Sequence, residues 1–317
     1  MNFRKLSAIG RAVFLFSVIA FLGVSVARAQ GPAPETAAPL FPGGALVSYN
    51  SIFTTRGPLA GGLDDISASA RPTFSHQGDF TFTWGFFRNF DLTVTVPVVT
   101  NDFKFSGTPT VGGTGLGDSM VLVKYRFYRR DSERGSTQAS ITFGPKIPTG
   151  RTDLQGPSES LLPAGLQPGS GSTDYFLAGY WTYTGLFNIR RLVADEAFTS
   201  LLTTEGSQHT RLGDGLDSRF WLSYRPFESA NVGREWFIGP DLIWLHSQDD
   251  RVGGVTQRGS GGDGLLAGVT TYVGVRPGMH VWVGMDWDVA HSTNAQFMPV
   301  RHHISFGITQ QFRIHFK

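Results

Sequence analysis

His303-Ile304-Ser305-Phe306-Gly307-Ile308-Thr309-Gln310-Gln311-Phe312-Arg313-Ile314-His315-Phe316 alternates almost without a break. Successive side chains on a strand point to opposite faces. Ile304, Phe306, Ile308, Phe312, Ile314 and Phe316 therefore share one face, interrupted only by Gln310, and Ser305, Gly307, Thr309, Gln311, Arg313 and His315 share the other. One side is greasy and the other wet over the length of a membrane-crossing strand, which reads as the closing strand of a barrel.

The opposite end of the chain supports an exported protein. Arg4, Lys5 and Arg11 precede an uncharged run from Ala12 to Val26, and Ala27-Arg28-Ala29 has the small-x-small form of a signal-peptidase site. Residues 1–29 read as a cleaved signal peptide, because the apolar run falls short of the ~20 residues a membrane-spanning helix needs. That segment holds four of the 27 Lys and Arg and none of the 25 Asp and Glu, so the remaining chain is slightly acidic. The net charge of +2 thus gives no support to nucleic-acid binding.

There is no cysteine, which excludes disulfides, thiolate metal sites and cysteine nucleophiles. Forty glycines, 13% aromatic residues and only 16% charged residues suit a large β-protein with many turns and aromatic girdles. Interleaved apolar and polar residues cancel in a mean hydropathy close to zero.

About twelve strand-like segments follow a Pro- and Ala-rich stretch, Gln30 to Pro42. They are Asp65–Ser75, Asp79–Arg88, Phe90–Val98, Ser119–Tyr128, Gln138–Ile147, Tyr175–Thr184, Asp195–Thr204, Leu216–Tyr224, Glu235–His246, Gly264–Val275, His280–Ala290 and the closing strand. The connections between them alternate short and long, as periplasmic turns and external loops do in an outer-membrane barrel with an even strand count. His76 to Gly78 is the exception, a short segment where a long loop belongs. The expected organisation is a signal peptide over 1–29, a periplasmic tail or a plug over 30–64, with Ala45 to Phe53 belonging to either, and an all-β transmembrane barrel over 65–317. Trp84, Trp181, Tyr183, Trp221, Tyr224, Trp236, Trp244, Tyr272, Trp282 and Trp287 are available for interfacial belts.

Several motifs resemble a known family. Trp84-Gly85 with Asn89-Phe90-Asp91-Leu92 and Val96-Pro97, Gly115-Leu116-Gly117-Asp118 leading into Val123-Lys124-Tyr125-Arg126-Phe127, Pro148-Thr149-Gly150, Gly169 to Asp174, and Ser260-Gly261-Gly262 before Leu265 occur in that order. They resemble the outer-membrane transporter family named for the meta-pathway of phenol degradation. The resemblance implies a twelve-stranded outer-membrane barrel that passes small hydrophobic or aromatic compounds. Lys317 after Phe316 departs from the aromatic terminus that barrel-assembly machinery usually meets.

Chemical alternatives are weaker. Gly113-Thr114-Gly115-Leu116-Gly117-Asp118 contains a glycine-rich pattern, but a strand rather than a helix follows, so a nucleotide phosphate would have no helix N-terminus. Asp286 and Asp288 share a strand face ~7 Å apart and read as an acidic patch on the wet wall. His303 and His315 share a face but lie roughly 40 Å apart, too far to hold one ion. His303 beside Ser305 is the nearest approach to a hydrolase pair, without an identifiable orienting group or oxyanion site.

Inward charges are preferred because a basic residue facing lipid at the midplane costs about 2–4 kcal/mol. Lys124, Arg126, Lys146, Arg219, Asp286 and Arg313 are the expected lumen-lining residues, with Asp217 and Asp241 also facing inward. The function expected is passive passage of small hydrophobic or aromatic solutes across the outer membrane, with no enzymatic step, catalytic residue, cofactor or metal. The expected partners are outer-membrane lipids, small-molecule solutes and the assembly machinery, and no nucleic acid. A lipid-active hydrolase and a closed structural or adhesive barrel are the alternatives.

Overall fold

The computed structural model describes residues 36–57, 71–104, 110–133, 135–156, 159–227, 235–292, 294 and 298–314. The segment read as a signal peptide lies outside these, as do most of Asp65–Ser75 and the C-terminal residues 315–317.

Twelve long strands are β1 (Gly44–Arg56), β2 (Phe74–Phe87), β3 (Phe90–Phe103), β5 (Ser119–Asp131), β6 (Ser136–Ile147), β7 (Asp174–Thr184), β8 (Leu192–Leu202), β10 (Gly215–Tyr224), β11 (Trp236–Ser247), β14 (Gly262–Arg276), β15 (Met279–His291) and β16 (Val300–Arg313). Four short ones are β4 (Val111–Leu116), β9 (Thr210–Arg211), β12 (Arg251–Val252) and β13 (Val255–Thr256). The long strands pair antiparallel in chain order, and β1 pairs with both β2 and β16. The sheet is thereby closed, and no long strand is left with an unpaired edge, the condition for β-structure in lipid.

The closing strand has the sidedness its alternation requires. Phe306, Ile308 and Phe312 are exposed outward, whereas Ser305 and Thr309 are buried on the lumen side. The same holds around the barrel, where Val47, Phe80, Phe82, Phe143, Leu177, Val269 and Val283 form part of an exposed apolar outer wall. A continuous apolar exterior of this extent is foreign to a water-facing surface. It is bordered by two rows of rings: Phe87, Tyr128, Tyr224 and Trp236 at the end of the short turns, and Tyr175, Trp244 and Trp287 toward the long loops. Trp221 and Trp282, available from sequence for such belts, are instead buried inside, and Tyr272 lines the lumen. Their positions share parity with Arg219, Asp286 and Thr270, which fixes them inward.

The first strand is the main correction. Gly44–Arg56 belongs to the barrel wall, so the wall begins within the segment assigned to a tail or plug, and the described part of Asp65–Ser75 includes the start of β2. Inward Ser48, Asn50 and Thr54 alternate with outward Val47, Tyr49 and Phe53. His76 to Gly78 is no loop but the interior of β2, which removes the exception in the loop rhythm.

Short turns and both described termini lie at one end, the long loops at the other. Pro277-Gly278 joins β14 to β15, with Gly278 at φ +76°, a conformation open to glycine and strained for other residues. Gly307 serves a different purpose: it pairs with Trp282 across β15 and β16, and the indole lies on it. A Cβ there would sit 2.0 Å from Trp282 Cζ2. Gly307→Val should drive Trp282 off the wall into the lumen and cost about 1–3 kcal/mol. Urea unfolding followed by tryptophan fluorescence measures this, and an unchanged midpoint and spectrum would contradict the packing.

Candidate functional site: an occluded lumen

The lumen is crossed near the turn end by the chain's own N-terminal segment. Residues 36–42 run from the base of β1 to β7, which stands nearly opposite β1 in the ring. The Ala37 amide donates to Thr182 Oγ1 (3.0 Å), the Leu40 amide donates to both oxygens of Asp91 (2.9 and 3.1 Å), and Lys124 Nζ donates to the Thr36 carbonyl (2.7 Å). Ala37 is fully buried against Ala178, Tyr180 and Ala197. Of the two readings of this stretch, the described residues thus have the position of a plug.

The described residues bound two cavities within the lumen. The turn-side cavity, about 290 Å³, is bounded by Thr36, Ala38 and Leu40 of the strap and by Lys124, Tyr180, Tyr272, His280 and Trp282 among the wall residues. The loop-side cavity, about 310 Å³, lies between Ile52, Thr54, Arg56, Ile243, Leu245, Leu266, Arg219 and His303. Between their levels on the β10–β16 wall runs a polar belt. Arg219 and the Thr270 hydroxyl donate to Asp241 Oδ2, and His303 Nδ1 lies 2.9 Å from Asp286 Oδ2. Asp241 and Asp286 both pair with Gly268 in register, and only glycine leaves space there, since a Cβ would lie 2.3 Å from Asp286 Oδ1.

The loop end is covered as well. The described part of the 148–173 loop folds inward, and Leu154, Leu162 and Leu166 pack with Phe103, Val111 and Met298. Asn101 Nδ2 donates to the Gln167 carbonyl (3.1 Å), and Gln208 Nε2 donates to the Leu162 carbonyl (2.8 Å). Asp118 fastens the root of this loop. Its Oδ1 accepts from the Gly150 amide (3.0 Å), and its Oδ2 accepts from the Ser170 amide (2.8 Å), the Ser170 hydroxyl (2.6 Å) and Lys146 Nζ (3.1 Å). The neighbouring 203–214 loop is held by Asp214, which accepts from the Thr203 amide and from Arg211. Burial acts to raise the Asp214 carboxyl, but these hydrogen bonds outweigh it and hold the group below the ordinary carboxylate range. Its contribution to the loop is therefore present above the ordinary carboxylate pKa and lost as pH falls.

The six sequence-selected lining residues occupy four places. Lys124 faces the turn-side cavity, and Arg219 and Asp286 meet in the mid-lumen belt. Arg126 is buried at the turn end, donating to Gln138 Oε1 and Asn89 Oδ1 (both 2.8 Å). Lys146 sits at the loop-end rim between Asp118 and Asp174. Arg313 lies at the turn end over the Phe41 ring (5.7 Å). Two participants escaped the sequence reading, Asp91 and Arg56, whereas a plug was one of its two readings of the strap. The polar alternation of β1 was the available signal for Arg56.

Ser305 and His303 face inward rather than toward the outer lipid boundary that a lipid hydrolase requires. His303 does have an orienting partner in Asp286, but among the described residues no hydrogen bond joins it to Ser305. Asp288 is engaged by Arg301 (2.7 Å) and His291 (2.8 Å). The glycine-rich Gly113 to Asp118 stretch forms the end of β4 and the approach to β5, with no helix to receive a phosphate.

Among solved structures the chain is similar to a COG4313 outer membrane channel from Pseudomonas putida F1, with 14% identity over 90% of this chain and 100% of that one and a TM-score of 0.60. The fold is a twelve-stranded outer-membrane barrel. More distant likenesses are a KdgM porin (10% identity, 84% and 99% covered, TM-score 0.42) and a deletion mutant of the TodX monoaromatic hydrocarbon channel (11%, 90% and 93%, 0.41). At those scores they carry no argument. No family model and no curated protein matches the chain.

Proposed function

We propose that this protein resides in the outer membrane, with its short turns toward the periplasm, and passes small hydrophobic or aromatic solutes. The observation that carries the reading is the division of the lumen into confined cavities, a loop-side one with a largely aliphatic wall and a turn-side one where rings stand among hydroxyls and charges, closed below by the strap and above by the folded loop. A porin for sugars and ions offers a continuous polar column. Here a solute moves between confined sites, meeting rings and methyl groups interleaved with the hydroxyls and charges that orient it. The exposed apolar wall and its flanking rings support the membrane location.

The same occlusion favours a second reading, a closed structural barrel. Release from liposomes separates the two. Refolded protein should release a trapped hydroxybenzoate faster than a sugar of similar size, relative to protein-free vesicles. Release of neither from protein shown to be folded and inserted would reject the channel and leave the closed barrel.

A further inference from the structure

We propose that the loop-side cavity is a binding site for small amphipathic carboxylates, with the Arg56 guanidinium receiving the carboxylate. This rests on the channel reading and specifies its solute class.

Arg56 ends β1, where its inward parity carries it into the cavity lining beside Ile52 and Thr54. The residue is half-buried. Among the described residues no carboxylate or carbonyl receives a hydrogen bond from its guanidinium. The charged group acting on it is another cation, Arg71, whose own charge is taken up by Asp250 at 2.9 Å. An enclosed cation repelled by its neighbour is unfavourable unless an anion joins it.

Two ion pairs of the chamber are already formed. Arg219 is paired with Asp241, and His303 with Asp286. Asp217, an acid on the same lining, acts on His246, which is itself hydrogen-bonded to Asp263. Arg56 takes part in neither of the two pairs.

The remaining wall defines the rest of the ligand. Ile52, Ile243, Leu245 and Leu266 give an apolar surface suited to a ring or short alkyl chain, and about 310 Å³ lies in the range of small-molecule pockets, roughly 300–1,000 Å³. A planar guanidinium matches a carboxylate in bidentate geometry. An inorganic anion would gain the charge contact without the apolar one, and a neutral aromatic the reverse, so a compound carrying both is selected.

The test is calorimetric titration of the full mature chain in lipid nanodiscs with benzoate, and with benzamide as an uncharged isostere. Benzoate should bind at least ~10-fold more tightly, the size of one charge-assisted contact, and its affinity should fall as salt rises. Arg56→Gln should abolish that preference while benzamide affinity stays unchanged, and Arg56→Lys should retain part of it. Equal affinities for the two ligands in the native protein would overturn the site, whether or not the variants fold. So would a folded Arg56→Gln protein that still prefers benzoate. Flux is read separately: if hydroxybenzoate crosses liposomes but the preference is absent, the site falls and the channel stands. If the preference depends on Arg56 but nothing crosses, the site stands and the channel falls.

Discussion

Deleting residues 36–42 is expected to convert an occluded barrel into a conducting one, with a several-fold rise in single-channel conductance and loss of selectivity against sugars. The strap spans nearly the full diameter of the ring, and one of its residues, Ala37, has no exposed surface. Nothing else among the described residues crosses the lumen at that level. Because β1 begins only at Gly44, the deletion leaves every barrel pair intact.

A single substitution should give a graded version of the same result. Asp91→Ala removes both acceptors of the Leu40 amide. A hydrogen bond to a charged group contributes about 1.5–3 kcal/mol, so the undocked strap should gain roughly 10- to 100-fold in population. Planar bilayer recording would show this as flickering between the native and the deletion conductance. A deletion protein with native conductance would mean that the strap does not limit passage.

The strap also shows where sequence reasoning stops. Eleven of the twelve long strands lie where the sequence places them, most through outward apolar side chains at period two, such as Phe80, Phe82 and Trp84 on β2; Tyr175–Thr184 and Asp195–Thr204 alternate poorly, and on β8 Glu196 and Ser200 fall at outward positions. β1 is the exception: its outward face is diluted by Ala45 and Ser51, and Gly43-Gly44 and a Pro-rich stretch precede it. Alternation that weak does not separate a strand from a linker. The strap itself is held mainly through its main-chain amides and carbonyl, taken by Thr182, Asp91 and Lys124, so its own side chains carry no mark of the contact.

The lumen was legible in part. Parity alone turns Lys124, Arg219 and Asp286 inward and would equally have assigned Trp221 and Trp282 there. Which inward charges meet is different information. Arg219, Asp241, Asp286 and His303 come from four strands and converge because the antiparallel registers of β10, β11, β14, β15 and β16 bring them to one level. Arg126, Lys146 and Arg313 share the inward tendency but belong to turn and rim, since their distance along each strand decides their level.

Asp118→Ala is expected to release the 148–173 loop while leaving the barrel folded. The motif residues around it are scattered through the sequence, yet they form one fastening. Gly150 and Gly169 lie back to back, where a Cβ on Gly150 would be 2.5 Å from the Gly169 Cα and a Cβ on Gly169 would be 2.6 Å from the Gly150 Cα. Both therefore have to be glycine for the loop's two ends to converge over the carboxylate. Losing Asp118 removes the acceptor for two amides, one hydroxyl and one ammonium at once, though Lys146 retains Asp174. Breaking a buried pair costs about 3–5 kcal/mol, and the partial exposure of Lys146 and the surviving Asp174 contact put the expected loss near the lower end. At about 3 kcal/mol the open loop becomes roughly a hundredfold more populated. Trypsin should then cut at Arg151 in proteoliposomes far faster than in the native protein, with the heat-modifiable barrel band preserved. Gly169→Val should reproduce the phenotype with every charge in place, by separating the loop's ends. Native resistance in both variants would mean that the apolar cluster of Leu162, Leu166 and Met298 holds the loop by itself. If the loop governs access to the loop-side cavity, solute release should rise in the same variants in proportion to their cleavage.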